Sequence, residues 1–168
     1  MSAPRLSEAA RGRIERETAK YPPEQRQSAV MSALAIAQDE HGWLPDEVME
    51  DVARVLRMAP VHVYEVATFY NMYNLKPMGR HKVVICTNLP CALSGANDAA
   101  DHLKRRLGVD FNETSADGSV MLKEGECMGA CGDAPVLIVD NKRMCSFMSN
   151  DKLDALLDEL QTKTELKK

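Results

Sequence analysis

Four of the five cysteines stand in two tight pairs, and this placement constrains the chain more than any other feature. Cys86 and Cys91 form C-x4-C in "CTNLPC", and Cys127 and Cys131 form C-x3-C in "CMGAC", within the glycine-rich stretch "EGECMGACGDAP". A long insert separates the pairs, and Cys145 stands alone. The start, "MSAPRLSEAARGRIERE", is charged and lacks the apolar core of a secretory signal, so a reducing compartment is expected. There, clustered thiols are more often metal ligands or catalytic groups than structural bridges.

Neither pair has the C-x-x-C spacing that a redox dithiol places at a helix start to lower a thiol pKa. Structural zinc sites favour C-x2-C or C-x4-C knuckles, and C-x3-C is less usual there. Two unequal pairs reached from two separate loops suit a larger inorganic core, and a [2Fe–2S] cluster takes four thiolates, two per iron. His41, His62, His81 and His102 all lie outside both cysteine loops, which argues against a Rieske-type centre. Gly95, Gly125, Gly129 and Gly132 would let backbone N–H groups approach sulfur. Leu89, Ala92, Leu93 and Met128 are candidates for an apolar lining. On spacing alone, a cluster, a zinc site and unlinked or disulfide-bonded thiols all stay open.

The 168 residues allow one sizeable domain or a small domain with an appended helical piece. The first part reads as helical. "SEAARGRIERETAK" is stopped by Pro22-Pro23, and "EQRQSAVMSALAIAQDEHG" carries Val30, Ala33, Leu34 and Ala37 at helical spacing with Gly42 at its end. A third helix starts at Pro45-Asp46, buries Val48, Val52, Val55 and Leu56, and is closed by Pro60. "PVHVYEVATFYNMY" is a fourth, short helix with proline in its first turn.

The pattern changes near residues 76–79. "HKVVIC" reads as a strand ending on Cys86, "GANDAADHLKRRLG" as a helix and "SVMLKE" as a strand. "PVLIVD" and "RMCSFM" form a hairpin about Asp140-Asn141. Asn150 or Asp151 then caps a last helix carrying Leu153, Leu156, Leu157 and Leu160. The expected architecture is α+β or α/β: a helical bundle over 1–77, acting as partner-binding mass, followed by a second domain over 78–168. There is no internal repeat, and only the chain ends look prone to disorder.

Charge and motifs exclude several functions. A net charge of −4 without a basic stripe argues against nucleic-acid binding. No apolar run approaches the roughly 20 residues that a membrane-spanning helix needs. The sequence has neither a strand–GxGxxG–helix fingerprint nor a P-loop, and no base–nucleophile constellation. An electron carrier is expected in place of a substrate site.

The segments "HGWLPDEVMEDVARVLRMAPVHVYEVATFYNMYNLKPMGRHKVVICTNLPCALSG" and "GECMGACGDAPVLIVDN" resemble the thioredoxin-like [2Fe–2S] component of respiratory complex I, the E-subunit family of bacterial NADH-quinone oxidoreductase. The likeness runs from about residue 15 to residue 160. Met128 stands where that family commonly has Leu, and the ligand positions are unchanged. The resemblance implies a thioredoxin-like domain behind a small helical bundle. It also implies one [2Fe–2S] cluster on Cys86, Cys91, Cys127 and Cys131, with one pair expected on each iron. A partner, the flavoprotein known as the F subunit, would carry FMN and NADH and exchange one electron with this cluster. Other peripheral-arm subunits would be neighbours, and the chain would be cytoplasmic, attached to the inner membrane only through the complex. It further places Pro135 near the cis-proline of thioredoxins, against the plain alternative of a trans proline opening a strand.

The nearest alternative is the same module in another flavoprotein assembly, such as an NAD-linked formate dehydrogenase or a bidirectional hydrogenase. A free-standing thioredoxin-like ferredoxin would not need the helical preface, and a non-redox zinc module is the alternative from a different class. Among the remaining residues, the run "VYEVATFYNMY" is expected to pack as an apolar helix against the next domain, in a region that the family places near the flavoprotein. His41, Trp43 and His102 are expected at helix ends or on the surface, and the charges of "LKRRLG" on a solvated face. Cys145, alternating with Phe147, is expected to be a small buried thiol.

Overall fold

The computed structural model describes residues 5–162, so the expected disorder at the chain ends lies outside the described residues. The chain divides between Pro77 and Met78 into two compact units.

The first unit is helical. Ser7 caps α1 (Glu8–Thr18) by accepting a hydrogen bond from the Ala10 N–H, and Ala10, Ile14 and Thr18 fall on one buried stripe at i, i+4 and i+8. The segment expected to open the second helix is instead a 3-10 stretch over Pro23–Ala29, kinked at Gln25 (φ −107°, ψ 24°). The α-helix proper, α2 (Val30–His41), follows it and ends where Gly42 takes φ +79°. Helix α3 (Asp46–Leu56) stops earlier than Pro60 because Arg57 turns left-handed at φ +56°. The N–H groups of Arg57 and Met58 then satisfy carbonyls of its last turn. Pro60 opens α4 (Pro60–Phe69), as a first-turn proline can.

Val48, Val52 and Leu56 pack with Ile14, Leu34 and Val63 into one core. Asp51 is the exception in that interior. Its carboxylate accepts from Arg5 Nη1 at 2.7 Å, the Leu6 N–H at 3.2 Å and Arg11 Nη2 at 3.2 Å, with Arg54 as a further partner. Helix α4 buries Val63 and Ala67 in the same core, whereas Phe69 is 80% exposed and Tyr64 is 48% exposed. The aromatic run is therefore not covered as a whole. Its apolar spacing serves the helical core: Tyr64, Phe69 and Tyr70 are exposed, whereas Tyr73 is buried and its hydroxyl donates to the Met31 carbonyl at 2.8 Å.

The second unit holds a five-stranded sheet. Strand β1 (His81–Cys86) leads to a short helix α5 (Leu89–Leu93) and then to α6 (Ala96–Leu107). Strands β2 (Glu113–Thr114), β3 (Val120–Gly125), β4 (Leu137–Val139) and β5 (Arg143–Cys145) follow, and α7 (Asn150–Thr162) completes the unit. The strand order is β2-β3-β1-β4-β5. β1 and β3 run parallel, joined by the crossover through α6, and the other pairings are antiparallel.

Period-two alternation sends Val83 and Ile85, Val120 and Leu122, and Leu137 and Val139 to one face, where they meet Leu103 of α6 and Leu153, Leu156, Leu157 and Leu160 of α7. Each such leucine contributes about 1.5–3 kcal/mol on burial. The β4–β5 hairpin turns through Asp140 (φ +53°) and Asn141 (φ +56°), the paired left-handed residues of a type I′ turn. Ser149, not Asn150 or Asp151, opens α7, since its Oγ faces the Lys152 N–H at 3.5 Å. His102 lies between the last two helices and is bonded through Nε2 to Asp154 Oδ1 at 2.8 Å.

Candidate metal centre

All four paired cysteines gather at one end of the sheet. Cys86 is the last residue of β1, and its N–H donates to the Val136 carbonyl at 3.1 Å, tying the strand end to the chain entering β4. Cys91 comes inward on α5, whose first turn takes Pro90 and whose start is fixed by Asn88 Nδ2 donating to Glu126 at 3.1 Å. β3 ends at Gly125, opposite Cys86 in the parallel ladder, and releases the loop that carries Cys127 and Cys131. Thr87 Oγ1 donates to Glu124 at 2.6 Å and holds the two cysteine loops side by side. The β1–β3 pairing thus converts two distant sequence pairs into neighbours.

The pairs differ in surroundings. Cys86 and Cys91 are buried, whereas Cys127 and Cys131 are exposed. The Cys127 and Cys131 sulfurs are 4.0 Å apart. Two sulfurs each about 2.3 Å from one tetrahedral ion stand about 3.8 Å apart, so this pair is already spaced as a chelate. No disulfide links any of them.

Burial, together with the hydrogen bond and charge of Cys86, pushes the Cys91 thiol up to about 11, partly opposed by the Val136 N–H aimed at its sulfur. The hydrogen bond with Cys127 and the charge of that neighbour raise the Cys131 thiol, and Cys86 adds to the effect. The thiols are close enough to hinder one another's ionisation, and a bound cation would reverse that by stabilising the thiolates.

Among the described residues, no three Cys, His, Asp or Glu side chains converge as ligands of a single metal ion. The thiols stand as two pairs, and that donor set fits a core of two irons, each taking two thiolates.

The immediate shell partly departs from sequence expectation. Gly129, at φ +73°, directs its N–H to the Cys127 sulfur at 3.4 Å, the contact expected of the loop glycines. Gly125 serves packing: a Cβ there would lie 2.5 Å from Val84 Cγ1 and 3.2 Å from Met128 Cε. Gly95 and Gly132 have no such close neighbour.

Leu89 (71% exposed) and Leu93 (81% exposed) do not line the site, because α5 turns Cys91 inward and these two outward. The apolar wall comes instead from Ala96 and Val136, with Met128, Ala130 and Ala134 packed against it. Val136 also supplies an N–H to sulfur, and nothing in the spacing of the cysteines points to it. The Ala134–Pro135 peptide is cis, which resolves the alternative left open for Pro135. Cys145 is only partly buried, lies in β5 against the helix-packed core, and is not among the four. His41 ends α2 and His102 is engaged by Asp154, so neither joins the thiols.

Comparison with known proteins agrees with this architecture. The thioredoxin-like [2Fe-2S] ferredoxin family matches residues 14–161. The E subunit of NADH-quinone oxidoreductase from Rickettsia bellii is 41% identical over 143 residues, covering 84% of this chain and 85% of the relative. One of the E subunits of the same enzyme from Rhizobium meliloti is 42% identical over 151 residues, covering 90% and 88%. Among solved structures, an air-oxidized NAD+-reducing [NiFe]-hydrogenase superposes with a TM-score of 0.67 at 18% identity, over 79% of this chain. The chain spans only 23% of that hydrogenase chain, so this likeness speaks for the fold alone. With the family matched across nearly its whole length, the chain belongs to the thioredoxin-like [2Fe-2S] ferredoxins.

Proposed function

We propose that this chain is the [2Fe–2S] electron-transfer subunit of an NADH:quinone oxidoreductase, with Cys86, Cys91, Cys127 and Cys131 as cluster ligands and one pair on each iron. The observation that carries it is the gathering of four thiols, as two pairs, at the shared end of β1 and β3. Residues 1–77 and 78–168 act as a helical partner-binding domain and a cluster domain. The relatives' names support assignment to that enzyme, and a flavoprotein carrying FMN and NADH is the partner proposed for electron exchange.

Bound at these thiolates, the cluster supplies one-electron exchange without bond making at the protein. The chain's own residues set its surroundings. Cys86 and Cys91, walled by Ala96 and Val136, keep water from one side. The N–H groups of Gly129 and Val136 stabilise sulfur charge. Cys127 and Cys131 lie on the open side, from which a redox partner approaches. No helix among the described residues is long and apolar enough to cross a membrane. Attachment through the assembly, on the cytoplasmic side, follows from the enzyme assignment.

Anaerobic purification with iron and sulfide analysis, absorption and reduced-state EPR tests this assignment. Two irons and two sulfides per chain with a [2Fe–2S] signal are expected. Cys127→Ser should lose or strongly alter the signal, and Cys145→Ser should leave it unchanged. A colourless protein with stoichiometric zinc, or equal loss in both variants, would overturn it.

A further inference from the structure

Among the described residues, the largest fully buried side chain is a lysine, Lys82, at 1% exposure. It stands in the strand that ends on Cys86. Because Val83 and Ile85 enter the helix-packed core, Lys82, Val84 and Cys86 project from the opposite face of β1. The same alternation puts Lys123 on that face, since Val120 and Leu122 point to the helices. In the ladder, Lys123 pairs with Val84, and Gly125 pairs with Cys86. One sheet face therefore carries a buried lysine, a half-buried lysine and then the floor of the cysteine site, in that order along the strands.

We propose that Lys82 and Lys123 form a positive row beneath the cysteine centre that raises its reduction potential, a role that rests on the cluster assignment above. At about 3.3 Å per residue, the Lys82 Cα lies about 13 Å from that of Cys86, and Lys123 about half as far along the sheet. A buried charge at such distances is little screened by salt. One electron added to a thiolate-ligated cluster increases its negative charge, so nearby ammonium groups favour the reduced state. Burial lowers the Lys82 ammonium to about 8, with repulsion from Lys123 adding to it and Asp140 opposing it, which leaves the group a cation at neutral pH. The Asp140 carboxylate is engaged at the far end of β1, accepting from the Lys82 N–H and bonded to His81, both at 2.8 Å.

Spectroelectrochemical titration of the cluster-loaded full chain tests the row. Lys82→Met should lower the reduced-to-oxidised ratio at fixed potential about tenfold, the size expected of a unit charge about 13 Å away at an effective dielectric of about 20. Lys123→Met, about half as far along the sheet, should lower it further. Lys123→Arg should restore the wild-type value, and Lys142→Met, exposed in the hairpin turn at the lysine end of the sheet, should match wild type. If Lys82→Met does not load its cluster, Lys123→Met carries the test alone. Unchanged ratios in the loaded variants, or an equal fall in Lys142→Met, would overturn the proposal while leaving the cluster assignment standing. A wild-type protein without a [2Fe–2S] spectrum would overturn both.

Discussion

The Gly129 N–H donates to the Cys127 sulfur at 3.4 Å, and it does so from a left-handed residue at φ +73°. A Cβ at this position would meet nothing within 4 Å, so the demand for glycine is one of backbone conformation alone. Gly129→Ala should keep the fold while straining the loop by about 1–2 kcal/mol. The expected result is an altered cluster spectrum and faster loss of iron to a chelator. Gly132→Ala, which meets neither a neighbour nor a positive φ, should behave as wild type in the same assay.

Gly125 makes the opposite demand. Its added methyl would lie 2.5 Å from Val84 Cγ1 across the sheet face, with Met128 also close. Gly125→Ala should cost about 1–3 kcal/mol in denaturant unfolding and reduce cluster loading, as overpacking does. Combining it with Val84→Ala should recover part of the loading, because the two sites share one clash. An additive double variant would show that the collision lies elsewhere.

Asp51 should matter most in the helical unit. Burial pushes its carboxyl up, but hydrogen bonds from Arg5, the Leu6 N–H and Arg54 outweigh this and hold it below the ordinary range. Asp51→Asn should destabilise by about 2 kcal/mol, toward the low end for a buried ion pair because its arginines are partly exposed. A depressed carboxylate contributes stability above its unfolded pKa of about 3.9 and loses it as pH falls through the lower folded value. The deficit of the variant should therefore shrink below about pH 4 in urea unfolding.

The slope keeps the same sign at Lys82, although there it is burial of the charged form that lowers the folded value. Its folded value is lowered to about 8, so between there and the ordinary lysine value of about 10.4 the unfolded chain binds the extra proton. Stability from this group rises with pH across that window. In metal-free protein, the stability of wild type relative to Lys82→Met should increase from pH 7.5 to 10. A constant difference would place the lysine in an ordinary solvated setting.

Strongly periodic segments were legible from sequence. β1 spans His81–Cys86 as expected, and the expected helix α6 buries Ala96, Ala99, Ala100, Leu103 and Leu107, because three or four apolar positions in phase leave one workable face. The two-residue strand β2 and the five-residue α5 were not legible, being shorter than any period. The ends of α3 and α7 went elsewhere because Arg57 adopts a left-handed conformation without being glycine and Ser149 stands ahead of two equally good capping residues. At the site, the cysteine spacing named the donors, yet Val136 became a wall and a donor only through the antiparallel return of β4. Leu89 and Leu93 looked like lining because proximity in sequence does not reveal which side of a helical turn faces the sulfur.

Six residues of β1 also fix a length. The strand delivers a thiol to one face at its end, a cation to that face near its start, and valine and isoleucine to the other between them. Insertion or deletion of one residue between Lys82 and Cys86 would reverse the parity of everything beyond it and send the thiol in among the helices. The count of this strand matters as much as its side chains: the metal centre and the hydrophobic core are kept apart by whether a number is odd or even.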